Sequence, residues 1–368
     1  MQHNANSRLD SIQILRAVAA IIVVFAHSIR AYTVHVPGYL EDLPQSWLSA
    51  PWFRDGLGFG VDIFFVISGF IMVHVSTPYA EGRKPAGDFL LRRAERIYPP
   101  YLISTGLLLI LTAAWSGTAS DDFSLWRIAT SALLFPSLNA NGLVQPILGI
   151  GWTLSYEMYF YLAFALALAI GRARYLPVLI GIIAGVWTIA TIAWSDTAPG
   201  IFFRNPIVAE FLYGCLIAYL HRSGRLPTVP LFVVLPCIIV VFAASYLCES
   251  GVLPEALRCI YWGAPAAVLL SAFIRLPVDR ERPLSRLVVF LGDASYSIYL
   301  IHIIFIYQVL SRIYPKLAFH GLVRHVDQAV VMTFVTSVVA GIVFHLAIEK
   351  PTNNWRLRSR KKEKTVTA

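Results

Sequence analysis

The sequence predicts an all-α fold: a polytopic integral membrane protein of about ten transmembrane helices, with both termini cytoplasmic. Three observations carry this expectation. Of 368 residues, 57% are hydrophobic and only 14% are charged, whereas soluble proteins carry roughly 25% charge. Apolar runs of helix-crossing length recur along the whole chain. The basic residues gather in alternate loops. A mean hydropathy of +0.65 excludes a disordered chain, a disulfide-stapled mini-protein and an ordinary water-soluble enzyme.

A bilayer crossing takes about 20 apolar residues. Segments that meet or approach this are 12–32, 57–77, 99–115, 147–170, 175–194, 206–221, 229–247, 256–274, 288–311 and 328–348. The third and sixth are short. Residues 125–138, LWRIATSALLFPSL, read as a re-entrant or interfacial helix. The first run contains Arg16, continues past Arg30 and lacks a small-residue cleavage site, so it reads as a retained helix and not a signal peptide. No hydrophilic block is long enough for a second globular domain. The division expected is a membrane domain over 1–352 and a basic cytoplasmic tail over 353–368.

With ten spans both termini share one side. That side then holds 21 of the 30 Lys and Arg residues and the other holds 8, with Arg16 inside a span. The excess marks the terminal side as cytoplasmic. The tail RLRSRKKEK becomes a lipid-headgroup and topology anchor. The formal charge of +9 therefore reads as topology and not as nucleic-acid binding, since no nucleic-acid fold accompanies it. Cys215 and Cys237 fall in helices as packing residues. Cys248 and Cys259 flank an outer loop, where a disulfide is one reading. The spacing of the four cysteines offers no metal site.

Charge at mid-membrane costs about 2.5–3.5 kcal/mol per residue, so the polar exceptions inside spans are informative. Arg16 and His27 lie eleven residues apart in the first span. At 100° per residue they fall within about 20° of each other, and roughly 16 Å apart along the axis. A cation low and an imidazole high suit an elongated ligand, anionic at its cytoplasmic end and reactive at the other. The alternative is a snorkelling arginine and a hydrogen-bonded structural histidine. Asp62, at the depth of His27, is expected to hold the imidazole and fix its tautomer, or else to be an interfacial carboxylate in water. In FLLRRAERIYPPY, Arg92, Arg93 and Arg96 form a candidate anion clamp, ended at the membrane by Pro99 and Pro100. Glu157 shares a face with Thr153 and Tyr161. His302 reads first as a structural histidine. It shares a face with Ser295, and Asp293 points the other way. Glu349 is placed to pair with the arginine cluster. No P-loop, dinucleotide fingerprint, HExxH or GxSxG is present.

The ordered set LDSIQILRAVAAIIVVFAHS, GVDIFFVISGF, FLLRRAERIYPPY, GWTLSYEMYFYL, LGDASYSIYLIH and a closing EKP resembles the membrane acyltransferase 3 family. The match covers about residues 10–352 and looks most like the branch that O-acetylates bacterial exopolysaccharides. The resemblance implies an acyl-CoA-dependent O-acyltransferase of the bacterial inner membrane. Its donor would be acetyl-CoA, with no bound cofactor or metal. Its acceptor would be a polysaccharide or lipid-linked oligosaccharide. It further implies that His27 is the essential histidine, with Glu157 or Asp62 in support. Arg16, Arg93 and Arg96, extended by Arg92, would take the acyl-CoA. Trp152, Tyr156 and His302 are the candidate substrate contacts. Some family members append an extracytoplasmic SGNH-type domain; this chain stops soon after its last span, which favours a stand-alone transferase. The competing reading is a proton-coupled transporter or a flippase of lipid-linked sugar.

Overall fold

The computed structural model describes residues 2–34, 48, 50–116, 123–310, 313, 316, 320 and 325–355. The RLRSRKKEK tail lies outside the described residues. Helix dominates: α1 (Gln2–Val34), α2 (Pro51–Gly56), α3 (Gly60–Val75), α4 (Thr77–Ala80), α5 (Ala86–Ser116), α6 (Leu125–Ala132), α7 (Trp152–Gly171) and α8 (Tyr175–Ala193) come first. Then follow α9 (Ala198–Phe203), α10 (Ala209–Arg222), α11 (Val234–Glu249), α12 (Ala264–Phe273), α13 (Pro283–Asp293), α14 (Ser295–Ile304) and α15 (Val326–Phe344). Among the described residues no strand forms, only one isolated bridge between Leu138 and Val144. Helices are what apolar sequence must form in lipid, because each backbone polar group has to find its partner within the segment.

Helices occupy all ten predicted positions, but not as ten uninterrupted spans. By length and composition seven stretches among the described residues are fit to cross a bilayer, eight if one bent pair counts as a span. One of the seven is a 45-residue run, Gly149–Ala193. Arg172 interrupts it with φ 44°, and its halves α7 and α8 return alongside each other. The far ends of both converge on α9: Tyr156 stacks on Phe202, Tyr159 meets Phe203, and the Trp187 indole donates to the Arg204 carbonyl at 2.8 Å. The sixth position is α10, only 14 residues long.

Two expectations about local structure are corrected. Pro99 and Pro100 do not end the arginine segment; both lie inside α5, which runs on unbroken. Membrane helices tolerate proline where neighbours or local adjustment satisfy the freed carbonyls, which here are those of Glu95 and Arg96, and the Tyr296 hydroxyl donates to the next carbonyl, of Ile97, at 2.8 Å. The ninth predicted span is broken: α13 and α14 meet at a 63° bend. The bend removes the helical phase that set Asp293 opposite His302. Asp293 is exposed and interacts electrostatically with Arg16.

Close helix crossings set the centre of the bundle. At the crossing of α3 and α10, a Cβ on Gly69 would lie 1.9 Å from the Phe211 carbonyl oxygen, and one on Gly214 would lie 2.0 Å from that of Val66. Only glycine permits such an approach, as at small-residue interfaces in membranes generally. α1 is the hub, packed on α3, α13, α14 and α15. Helices α8 and α11 instead leave Ile180, Ile192, Leu235 and Ile239 exposed, as a face toward lipid hydrocarbon requires. Asp10 and Arg16 of α1 are buried in protein.

Candidate active site

Two cavities lie along α1. The narrower is lined by Arg16, Arg96, Glu157, Tyr161 and Tyr296 with apolar side chains of α3. The wider is lined by His27, Arg30, Trp152, Arg258 and Trp262 among others. The Arg16–His27 stripe read from helical periodicity thus opens at one end into the first cavity and at the other into the second. Val61 and Tyr299 line both.

His27 is not alone. Its Nδ1 lies 3.0 Å from Nε2 of His302, and the rings are 5.0 Å apart at a 32° tilt. His302 is fully buried. Its Nδ1 lies 3.1 Å from the Ile298 carbonyl oxygen, one turn back on α14. A carbonyl only accepts, so His302 Nδ1 carries a proton. In the neutral ring Nε2 is then the acceptor, and the hydrogen between the imidazoles belongs to His27 Nδ1. The consequence is a fixed tautomer. His27 Nε2 then keeps its lone pair, on a part-exposed ring at the wall of the wider cavity, and the ring also interacts with the Val23 backbone one turn back. Nothing in the sequence pointed to this pair, since 275 residues separate its members.

Asp62 does not hold the imidazole, contrary to expectation. Both of its oxygens accept from Arg258, at 3.0 and 2.7 Å. Asp62 is completely buried, and the guanidinium lies 4.4 Å over the Trp262 ring. A second buried carboxylate, Glu210, interacts with this pair. Sequence reasoning passed over Glu210 and took Arg258 for loop charge. Its long-range partner is visible only in three dimensions.

The arginine cluster separates. Arg96 lines the narrower cavity with Arg16. Arg93 shares its side of α5, with a buried Nε that has no partner among the described residues, and its charge interacts with Arg96 and Glu157. Arg92 turns away and binds Asp88 at 2.9 Å, one turn back, so a three-arginine clamp does not form. Arg16 also donates to Gln13 Oε1 at 3.0 Å.

Glu157 supports neither imidazole. It accepts from the Tyr161 hydroxyl, as its shared face predicted, and from Ser68 at 3.2 Å, on the wall of the narrower cavity. Thr153 is drawn instead to the Tyr299 hydroxyl at 3.0 Å and the Ile150 carbonyl. Glu349 accepts from Ser297 and from His345 at 2.8 Å, near enough to Arg16 and Arg96 to interact with their charges.

Trp152 reaches the wider cavity. Tyr156 does not reach either one: it is buried, stacked 4.0 Å from Phe202, and donates to the Phe202 carbonyl. Its contacts are those of a packing residue. The disulfide read as one option for Cys248 and Cys259 does not form. Cys248 and Cys259 are free, with Cys248 Sγ 3.1 Å from the Tyr261 hydroxyl.

The bundle thus holds a basic cavity and a histidine pair at successive levels of one helix. The chain belongs to the acyltransferase 3 family: residues 9–349 match the family model described as an acyltransferase domain. It is 32% identical over 251 residues to the exopolysaccharide production protein ExoZ of Rhizobium meliloti, covering 66% of this chain and 74% of that one. It is 26% identical over 325 residues to the acyltransferase MdmB of Streptomyces mycarofaciens, 79% of each chain. With the peptidoglycan O-acetyltransferase OatA of Listeria monocytogenes it shares 24% identity over 93% of this chain and 55% of OatA. No solved structure matches it significantly.

Proposed function

We propose that the chain transfers an acetyl or other short acyl group from cytoplasmic acyl-CoA to a hydroxyl of a bacterial polysaccharide or its lipid-linked precursor, within the inner membrane. The observation that carries this reading is the His27 Nε2 lone pair at the wall of the wider cavity, in a ring whose tautomer is set by His302. The names of ExoZ and OatA support a carbohydrate acceptor.

In this reading Arg16 and Arg96, with Arg93 beside them, receive the anionic part of the donor at the cytoplasmic side. Guanidinium groups suit phosphate because they donate bidentately. The thioester arm then lies along the apolar wall of α3 toward His27. The acceptor enters the wider cavity. His27 Nε2 takes the hydroxyl proton as the oxygen bonds to the thioester carbonyl carbon, which is general-base catalysis. The tetrahedral adduct collapses by breaking the C–S bond, and His27 returns the proton to the departing thiolate. The products are an ester and a free thiol. An acyl-imidazole relay would use the same nitrogen.

The test is incubation of purified, detergent-solubilised protein with radiolabelled acetyl-CoA and candidate glycans. Label should move to glycan in an ester-labile form and should not do so in His27→Ala. Full transfer by His27→Ala, or label that never leaves the thioester, overturns the assignment.

A further inference from the structure

Val61 of α3 and Tyr299 of α14 belong to the walls of both cavities. Arg16, Arg96 and Glu157 line only the narrower cavity, and His27 lines only the wider. Val61 and Tyr299 are both buried, 7% and 6% exposed. Tyr299 is also held in place. Its hydroxyl lies 3.0 Å from Thr153 Oγ1, which lines the narrower cavity, and 3.1 Å from the carbonyl of Ile150, which lines the wider one. Its ring meets Phe64 at 6.2 Å and His302 at 5.8 Å. A ring so pinned does not swing aside to admit a bulkier group.

We infer that Val61 and Tyr299 form the throat through which the acyl group reaches His27, and that their bulk selects two-carbon over four-carbon and longer acyl thioesters. The inference rests on the proposed acyl-CoA reaction and adds what limits its donor. The thioester carbon stops between the two side chains, within reach of Nε2, so its alkyl substituent leaves it inside the gap. A longer alkyl tail has to share the same gap with the valine methyls and the fixed phenol. In a close-packed interior one methylene is felt, and a methylene of misfit is worth about 10–200-fold in discrimination.

The experiment measures transfer to one glycan acceptor from acetyl-, propionyl- and butyryl-CoA, using wild type, Val61→Ala, Val61→Phe and Tyr299→Phe. V61A should raise the butyryl-to-acetyl ratio of kcat/KM by about tenfold or more. V61F should lower acetyl transfer by a similar factor. If V61F does not accumulate in membranes, Val61→Ile carries the same sign with one methylene. Y299F removes the hydroxyl bonds that pin the ring and should raise the butyryl-to-acetyl ratio in the same direction as V61A. A ratio that stays within about twofold of wild type in V61A, with normal acetyl transfer in V61F or V61I, overturns the throat and leaves the acyl-transfer reading standing. A wild-type protein that moves no acyl group from any of the three thioesters overturns the functional reading, and the throat with it.

Discussion

His27 and His302 meet nitrogen to nitrogen at 3.0 Å, one from the first long helix and one from α14. In hydrolase triads a carboxylate holds the base by its Nδ1–H. Here a second imidazole occupies that place, and a backbone carbonyl fixes its protonation in turn. The arrangement orients without adding negative charge, which suits a buried membrane site where an unpaired carboxylate is costly.

The pair predicts a graded response to mutation. His27→Ala should abolish transfer. His302→Phe keeps a ring of similar size but no acceptor for the His27 proton, so kcat should fall by about 10²-fold or more, the scale of a lost general-base contribution, with KM for both substrates little changed. His302→Gln offers a carbonyl oxygen and should recover part of that loss. Equal activity in all three variants, measured by acetyl transfer in membranes with matched protein levels, would refute the role of the pair.

The arginines should divide as their contacts do. Arg93→Ala with Arg96→Ala removes the cations beside the narrower cavity and should raise KM for acetyl-CoA by about tenfold or more, since each charge-assisted hydrogen bond is worth about 1.5–3 kcal/mol. Arg92→Ala breaks only a half-exposed pair with Asp88, of the kind worth about 0.2–1 kcal/mol, and should leave donor affinity near wild type. Donor titrations of the two variants side by side decide the point.

The Asp62–Arg258 pair should matter to stability more than to chemistry. Arg258→Ala strands a fully buried carboxylate beside Glu210; removing one partner of a buried pair costs about 3–5 kcal/mol. The variant should unfold at lower temperature in detergent, and Asp62→Asn added to it should restore part of the loss. A melting temperature equal to wild type in Arg258→Ala would show that the pair is replaced by solvent.

Gly214→Ala should be harmful although it adds a single methyl. The new Cβ would meet the Val66 carbonyl oxygen at 2.0 Å, which α3 can relieve only by moving. Overpacking of this kind costs about 1–3 kcal/mol. Gly185→Ala, on α8 with open space around it, is the control and should melt as wild type does.

Periodicity alone put Arg16 and His27 on one face of α1, and Tyr161 on the face of Glu157, because residues a whole number of turns apart must share a side. The same rule could not say what those faces meet. Asp62 was singled out as a polar residue inside a span, yet its partner is Arg258, 196 residues away. Tyr156 lies in the same polar segment as Trp152, but packing against α9 turns it away from the cavities. The unbroken helix through Pro99 and Pro100 and the bend between α13 and α14 depend on neighbouring helices, which local propensity does not see.

What the sequence by itself determined was the membrane-embedded helical class, the helix positions and the polar residues worth asking about. Each follows from short-range facts: hydrocarbon excludes charge, and a helix repeats every 3.6 residues. The tertiary structure alone decided that the two imidazoles meet, which arginines line the narrower cavity, and that Val61 and Tyr299 line both chambers. Those are contacts between segments far apart in the chain, and only the packing of the bundle brings them together.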